Sequence, residues 1–281
     1  LVATLRRFGV KVRLRDLTNI EAVREAIDDD TCCVFLEILT NPQLEVADLK
    51  AISEVAHEKN VPLVVDSTVI PFTQFSAKSL GVDIEVVSSS KYVSGGATSL
   101  GGLVIDYGTP YNGDFAKRLY GEMLFNFGAY MTPQVAYMQT IGLETLDARY
   151  RVQSGNALEL AKKLRSLPQI KYVNYVGLED NSYHELAQRQ FGKTAGAMIC
   201  IDLESKEACF SFLNNLKLIH RATNLFDNRS LAIHPTSTIF GAFSESMRKS
   251  MDVKDTTIRL SVGLEDVDDL FEDIKQAVDS L

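Results

Sequence analysis

Reactive side chains in this sequence stand just beyond runs of β-branched residues. Asn41 follows the apolar run 32–38, and Asp66 closes the run 61–65. Ser88, Ser89, Ser90 and Lys91 follow 82–87. A lysine amine forms an imine with an aldehyde. A carboxylate pairs with a pyridinium nitrogen and keeps it protonated, so that the ring draws in electrons. Hydroxyls and backbone N–H groups hold a phosphate. An amide hydrogen-bonds a phenolic oxygen. Together these are the requirements of a pyridoxal phosphate site. Singly, each residue has an ordinary reading: a lysine after a strand is commonly a solvated surface residue, and an aspartate there a turn former. Their conjunction points to the cofactor.

Such a constellation needs a scaffold that brings strand ends together. Residues 32–38, 61–65, 82–87 and 101–105 read as strands, because near-continuous Val/Ile/Leu runs mark strands buried on both faces. Helices are predicted at 19–27, capped by Thr18 or Asn19, at 44–59, and briefly at 75–80. Residues 10–14 alternate with period two and predict a further strand. This repetition predicts an α/β fold, a mostly parallel sheet with helices on both faces. Ligands bind beyond the carboxyl ends of such strands, where Asn41, Asp66 and Ser88 to Lys91 fall. No GxGxxG follows the first strand, which argues against a dinucleotide-binding dehydrogenase.

After Tyr107 the pattern changes. A long helical stretch at 132–167, with a break allowed near Gly142, leads into strands at 172–176, 197–203 and 258–262. Helices are predicted at 206–216 and 266–281, the last with an apolar face through Leu270, Ile274 and Ala277. This reads as a smaller α+β domain. The boundary is expected near residue 135, giving a cofactor-binding domain at 1–135 and a C-terminal domain at 136–281.

The chain has 281 residues, enough for one large or two medium domains. Its net charge is −8. An acidic chain repels phosphate backbones and anionic lipid, so neither nucleic acid nor membrane is an expected partner. No apolar run approaches the roughly 18–20 residues that span a bilayer. Cys32, Cys33 and Cys200 sit in apolar runs, and none of these or Cys209 shows CxxC spacing. They are expected as buried free thiols in a reducing, cytoplasmic setting, with no metal site. The first residues do not read as a signal peptide.

Three segments carry a resemblance: Val-Val-Asp-Ser-Thr at 64–68, Asp-Ile-Glu-Val-Val-Ser-Ser-Ser-Lys-Tyr at 83–92, and Gly-Gly-Ala-Thr-Ser-Leu-Gly-Gly at 95–102. They resemble the cofactor segment of the Cys/Met-metabolism family of pyridoxal-phosphate enzymes. That family includes cystathionine γ-synthase, cystathionine lyases, methionine γ-lyase and O-acetylhomoserine sulfhydrylase. Residues 37–42 look like its Glu-x-x-x-Asn-Pro element, and 184–190 and 258–265 look like parts of its C-terminal domain. These six segments fall in order over essentially the whole chain. The resemblance implies the aminotransferase-like fold type I. It implies that Lys91 binds the cofactor and later shuttles protons, that Asp66 pairs with the pyridine nitrogen, and that Asn41 contacts the ring oxygen. Ser88 and Ser90 are implied for the phosphate, Ser90 replacing the more usual Thr. Arg259 is implied as the fork for the substrate α-carboxylate, a task suited to guanidinium.

Residues 222–235 most resemble the O-acetylhomoserine sulfhydrylases, which typically carry Asn where lyases carry Ser. Asn224 occupies that position and is expected to bind substrate. The implied reaction is γ-replacement in sulfur amino-acid metabolism: O-acetylhomoserine and a sulfide donor give homocysteine and acetate. The alternatives are cystathionine γ-synthesis, elimination from cystathionine or methionine, and, in another class, an incomplete fragment acting only as an assembly partner. Ile239-Phe240 stands where many members have Thr-His, which removes a hydroxyl and an imidazole near the substrate side and argues against a direct transfer of lyase specificity. His234 reads as structural. A homo-oligomer, dimer or tetramer, is expected. The resemblance also places Leu1 well inside the large domain. A phosphate loop, a ring-stacking tyrosine and an arm to a neighbouring subunit are then expected outside this chain, or the chain is a short relative without them.

Overall fold

The computed structural model describes residues 2–281. The first elements are α1 (Val2–Arg6) and α2 (Ile20–Ala26). Asn19 caps α2, its side chain accepting from the Ala22 N–H, which satisfies one of the donors a helix start leaves unpaired. Then come β1 (Val34–Glu37), α3 (Leu49–His57), β2 (Leu63–Asp66), β3 (Ile84–Val87) and β4 (Leu103–Asp106). The strands lie in the order β1-β2-β3-β4, with β1–β2 and β2–β3 parallel and β4 antiparallel. α3 begins at Leu49 rather than at 44 because Asp48 caps it, accepting from the Ala51 N–H.

Two expectations fail in this half. Residues 10–14 form no strand. Among the described residues no neighbouring strand offers them a ladder, and an extended segment is stable only when its N–H and C=O groups are paired. Cys32 and Cys33 are exposed, not buried. Both precede β1, which forms an edge of the sheet. Cys200 and Cys209 are buried, and all four thiols are free.

Next come α4 (Phe115–Arg118), a π-helical stretch (Leu119–Leu124) and α5 (Phe125–Phe127). Sequence periodicity did not reveal them, and none of their residues is buried, so no packed face imposes a pattern. The long helix divides into α6 (Pro133–Glu144) and α7 (Leu146–Leu164), with the break at Thr145. Thr132 caps α6 and Pro133 opens it, where a missing N–H does no harm.

β5 (Tyr172–Asn174), α8 (His184–Phe191), β6 (Met198–Asp202), α9 (Lys206–Asn215), β7 (His220–Arg221) and β8 (Leu231–Ile233) follow. α10 (Glu245–Ser250), β9 (Thr257–Ser261) and α11 (Val267–Val278) complete the chain. The second sheet has the order β5-β6-β9-β8-β7. β6 and β9 are its centre, with Ile199, Ile201, Ile258 and Leu260 buried. α11 lays Leu270, Ile274 and Ala277 against α7 and α9. It also ties down the chain before β7. The Asp273 carboxylate accepts from the N–H groups of Lys217, Leu218 and Ile219 at 2.8, 3.0 and 2.9 Å. One continuous apolar core runs beneath both sheets.

Candidate active site

Asp66 ends β2, in register with Glu37 at the end of β1 and with Val86 on β3. Parallel strands end on the same side, so the segments after them converge there. The Asp66 Oδ1 accepts from the Thr68 N–H at 2.9 Å, and Oδ2 makes no hydrogen bond among the described residues. Thr68 Oγ1 in turn accepts from the Ser88 N–H at 2.8 Å, so the two turns are tied together. Ser90 Oγ accepts from the Gly101 N–H at 2.9 Å and donates to the Gly101 carbonyl at 3.2 Å. Gly101 is closely packed: a Cβ there would lie 2.8 Å from Ser89 Oγ and 2.5 Å from Gln139 Nε2, so these side chains would have to shift.

Lys91 is half-buried, and its Nζ donates to Asn224 Oδ1 at 2.5 Å. Burial first, and then the charge of Arg259, hold its pKa below the usual lysine value. A depressed pKa leaves more free amine near neutrality, the form that attacks an aldehyde or takes a proton.

Arg259 on β9 is 1% exposed. Its Nη1 donates to Asn41 Oδ1 at 3.2 Å, and its Nη2 to the carbonyls of Thr223 and Asn224, both at 3.0 Å. Nε has no partner. Burial pushes its pKa down to about 10, and no carboxylate offsets the loss of water. A buried cation without an anion is unfavourable, so the site suits a ligand that brings a carboxylate.

Glu37 also belongs to the site. Its Oε2 accepts from the Asn41 N–H at 3.1 Å and so fixes the turn that carries Asn41. Burial raises its pKa to about 6; the Asn41 bond opposes this and the Asp66 charge adds to it.

The seven candidates thus fall into one neighbourhood. Asp66, Thr68 and Ser88 form one chain of contacts, and Lys91, Asn224, Arg259 and Asn41 form another. Ser90 is engaged with Gly101, and its hydroxyl must let go of that carbonyl to donate elsewhere. Thr68 and Glu37 were legible only as members of motifs, and the Asn224–Lys91 contact had no signal in spacing. His234 is buried between Ser237 Oγ and the Asp255 carbonyl, at 2.9 and 2.8 Å, a structural placement. A separate cavity of about 430 Å³, lined in part by Pro42, Tyr172, Cys200 and Asp202, contains none of the seven.

As a donor set these residues fit pyridoxal phosphate. They offer an amine of lowered basicity, a carboxylate with one oxygen unengaged, serine hydroxyls beside a glycine turn, and an unpaired guanidinium. No helix among the described residues is long and apolar enough to cross a membrane.

The sequence profile of the Cys/Met metabolism PLP-dependent enzymes matches residues 1–279. L-methionine gamma-lyase from Fusobacterium nucleatum subsp. polymorphum is 36% identical over 281 residues, covering 99% of this chain and 69% of the lyase. A crystal structure assigned as O-acetylhomoserine (thiol)-lyase from Campylobacter jejuni superposes with a TM-score of 0.95 at 34% identity. It covers 98% of this chain and 72% of that one, and it carries a pyridoxyl-lysine phosphate. O-acetylhomoserine sulfhydrylase of the Wolinella succinogenes methionine pathway superposes with a TM-score of 0.85 at 43% identity, covering 98% and 79%.

Proposed function

The chain belongs to the Cys/Met metabolism PLP-dependent enzyme family, and from that premise we propose that it catalyses γ-replacement, converting O-acetylhomoserine and a sulfide donor to homocysteine and acetate. The observation that carries this is the meeting of Lys91, Asn224 and the anion-seeking Arg259 in one network. The 43% identity to the Wolinella succinogenes O-acetylhomoserine sulfhydrylase supports replacement. Asn224, which stands where lyases typically carry Ser, supports the same choice.

Lys91 is the residue that would bind pyridoxal phosphate covalently. Asp66 would pair with its ring nitrogen, Ser88 and Ser90 would hold its phosphate, and Asn41 would donate from Nδ2 to the ring oxygen while Oδ1 accepts from Arg259. When bound, the cofactor supplies an electron sink for the charge left at the substrate Cα. Arg259 holds the substrate carboxylate through its planar fork. Lys91 Nζ removes the α-proton and then moves a proton at the β-carbon, and its lowered pKa favours the free amine that this work needs. Asn224 Oδ1 keeps Nζ in place between steps. Acetate leaves the γ-carbon and sulfur takes its position.

The test is product analysis after loading with pyridoxal phosphate. Homocysteine from O-acetylhomoserine and sulfide is the expected product. An α-keto acid and ammonia from methionine would establish elimination instead, and a K91A protein making homocysteine at the normal rate would overturn the mechanism.

The proposal extends to a homo-oligomer. Tyr120, Phe125, Phe127, Tyr130 and Tyr137 are each more than two-thirds exposed, an aromatic surface that monomers seldom leave in water. Sedimentation would read the stoichiometry. The free thiols fit a reducing, cytoplasmic compartment. A division into units at 1–135 and 136–281 completes the reading, and limited proteolysis near residue 135 would test it.

A further inference from the structure

We propose that Arg149, at the start of α7, is a positioning residue that fixes the main chain carrying Lys91. The proposal rests on the reading of Lys91 as the cofactor-binding lysine. Arg149 is 8% exposed, and no carboxylate offsets the burial of its charge. Its planar group joins three elements. Nε donates to Thr145 Oγ1 at 3.0 Å. Nη2 donates to the Gly142 carbonyl in the last turn of α6 at 2.7 Å, and to the Tyr92 carbonyl, one residue past Lys91, at 2.8 Å. Nη1 is buried without a partner among the described residues.

The same turn is pressed from outside by α6. A Cβ on Gly142 would lie 2.1 Å from the Val93 carbonyl oxygen and 2.9 Å from the Gly95 nitrogen. Gly95 has φ +75° and would itself meet Gly142 Cα at 3.0 Å. On another side Asn228 Nδ2 donates to the Gly95 carbonyl at 3.0 Å. Tyr92 is buried, and its ring stacks on Phe226 at 4.3 Å between centroids. Lys91 opens this clamped turn with φ −96° and ψ −122°.

A lysine side chain is a flexible four-carbon stem. The place of Nζ therefore depends on where its Cα is held. Arginine suits the clamp because charge-assisted bonds to carbonyls are stronger than neutral ones. The position also lies at the C-terminal end of α6, where the helix dipole favours a cation. Burial of an unpaired guanidinium is otherwise unfavourable, which marks this one as held for a purpose.

The experiment uses the full chain with added pyridoxal phosphate and three readouts: the rate at which borohydride fixes the label on Lys91, mapped by mass; equilibrium cofactor binding by fluorescence; and thermal stability. R149M should slow labelling about 10- to 100-fold while cofactor affinity changes less than about threefold. R149K should restore part of the rate, and millimolar guanidinium should rescue R149A. Should R149M fail to fold, R149K decides: it should label about 3- to 10-fold more slowly than the parent. Labelling at the parent rate in folded variants, with only the melting temperature lowered, overturns this proposal alone. No label on Lys91 in the parent protein overturns the cofactor reading and this proposal with it.

Discussion

Lys91 and Asn224, 133 positions apart, meet at 2.5 Å, the lysine Nζ donating to the asparagine Oδ1. The contact joins the turn after β3 to the segment before β8. The main-chain carbonyl of Asn224 also accepts from Arg259. N224A removes only the side chain and leaves that carbonyl in place. Hydrogen bonds to charged groups contribute about 1.5–3 kcal/mol. N224A should therefore lower kcat for homocysteine formation roughly 10- to 100-fold, with cofactor affinity retained. Steady-state kinetics and a fluorescence titration check both halves.

Arg259 affords two readings in one variant. R259Q removes the carboxylate fork, and losing one partner of a buried charge pair costs about 2–5 kcal/mol. KM for O-acetylhomoserine should rise at least about 30-fold, with cofactor affinity kept. The Arg259 charge also lowers the pKa of Lys91. Its removal should raise that pKa, so the pH midpoint for borohydride labelling of Lys91 should move upward. A midpoint that stays or falls contradicts the electrostatic assignment.

D66N tests the ring partner. One oxygen of Asp66 is held by the Thr68 N–H and the other is unengaged. The amide keeps the shape and loses the charge. Turnover should fall about 10- to 100-fold, the scale of one charge-assisted bond. Binding of the cofactor, followed by absorbance, should weaken as well.

Glu37 predicts a pH dependence of stability. Its pKa in the folded chain is raised to about 6 from an ordinary 4.5. Between these values the folded state binds more protons than the unfolded state, so stability falls as pH rises through the window. The contribution is present below about 4.5 and lost above about 6. The side chain retains contact with water, which screens the effect. Compared with E37Q, the parent should gain urea resistance on going from pH 7 to pH 5. A parent and variant with parallel pH curves would remove Glu37 from the account.

Asp273 predicts a stability loss without a catalytic one. D273A leaves three backbone N–H groups without their acceptor. A buried donor left unpaired costs about 1–3 kcal/mol. Water reaches part of the segment, so a total of about 2–4 kcal/mol is expected in urea titration, with kcat per folded molecule unchanged.

The sequence by itself determined the strand ends and what stands on them. β2 and β3 were legible because strands buried on both faces require unbroken apolar runs, and Asp66 and Lys91 are conspicuous at the ends of such runs. The cap of α2 was legible to within Thr18 or Asn19 because its chemistry is local, and the structure assigns it to Asn19. Only the tertiary structure decided which distant groups meet. Asn41 and Arg259 are 218 positions apart, and no periodicity records their contact. Residues 10–14 show the converse: a period-two pattern alone makes no strand, because a ladder needs a second chain segment alongside it. Arg149 lies on a helix whose pattern reads as ordinary, and its role becomes visible only where α6 and α7 press on the turn of Lys91. Local propensity and burial act within a segment and leave their mark in the sequence. Convergence of side chains from separate segments is set by packing, which the order of residues does not display.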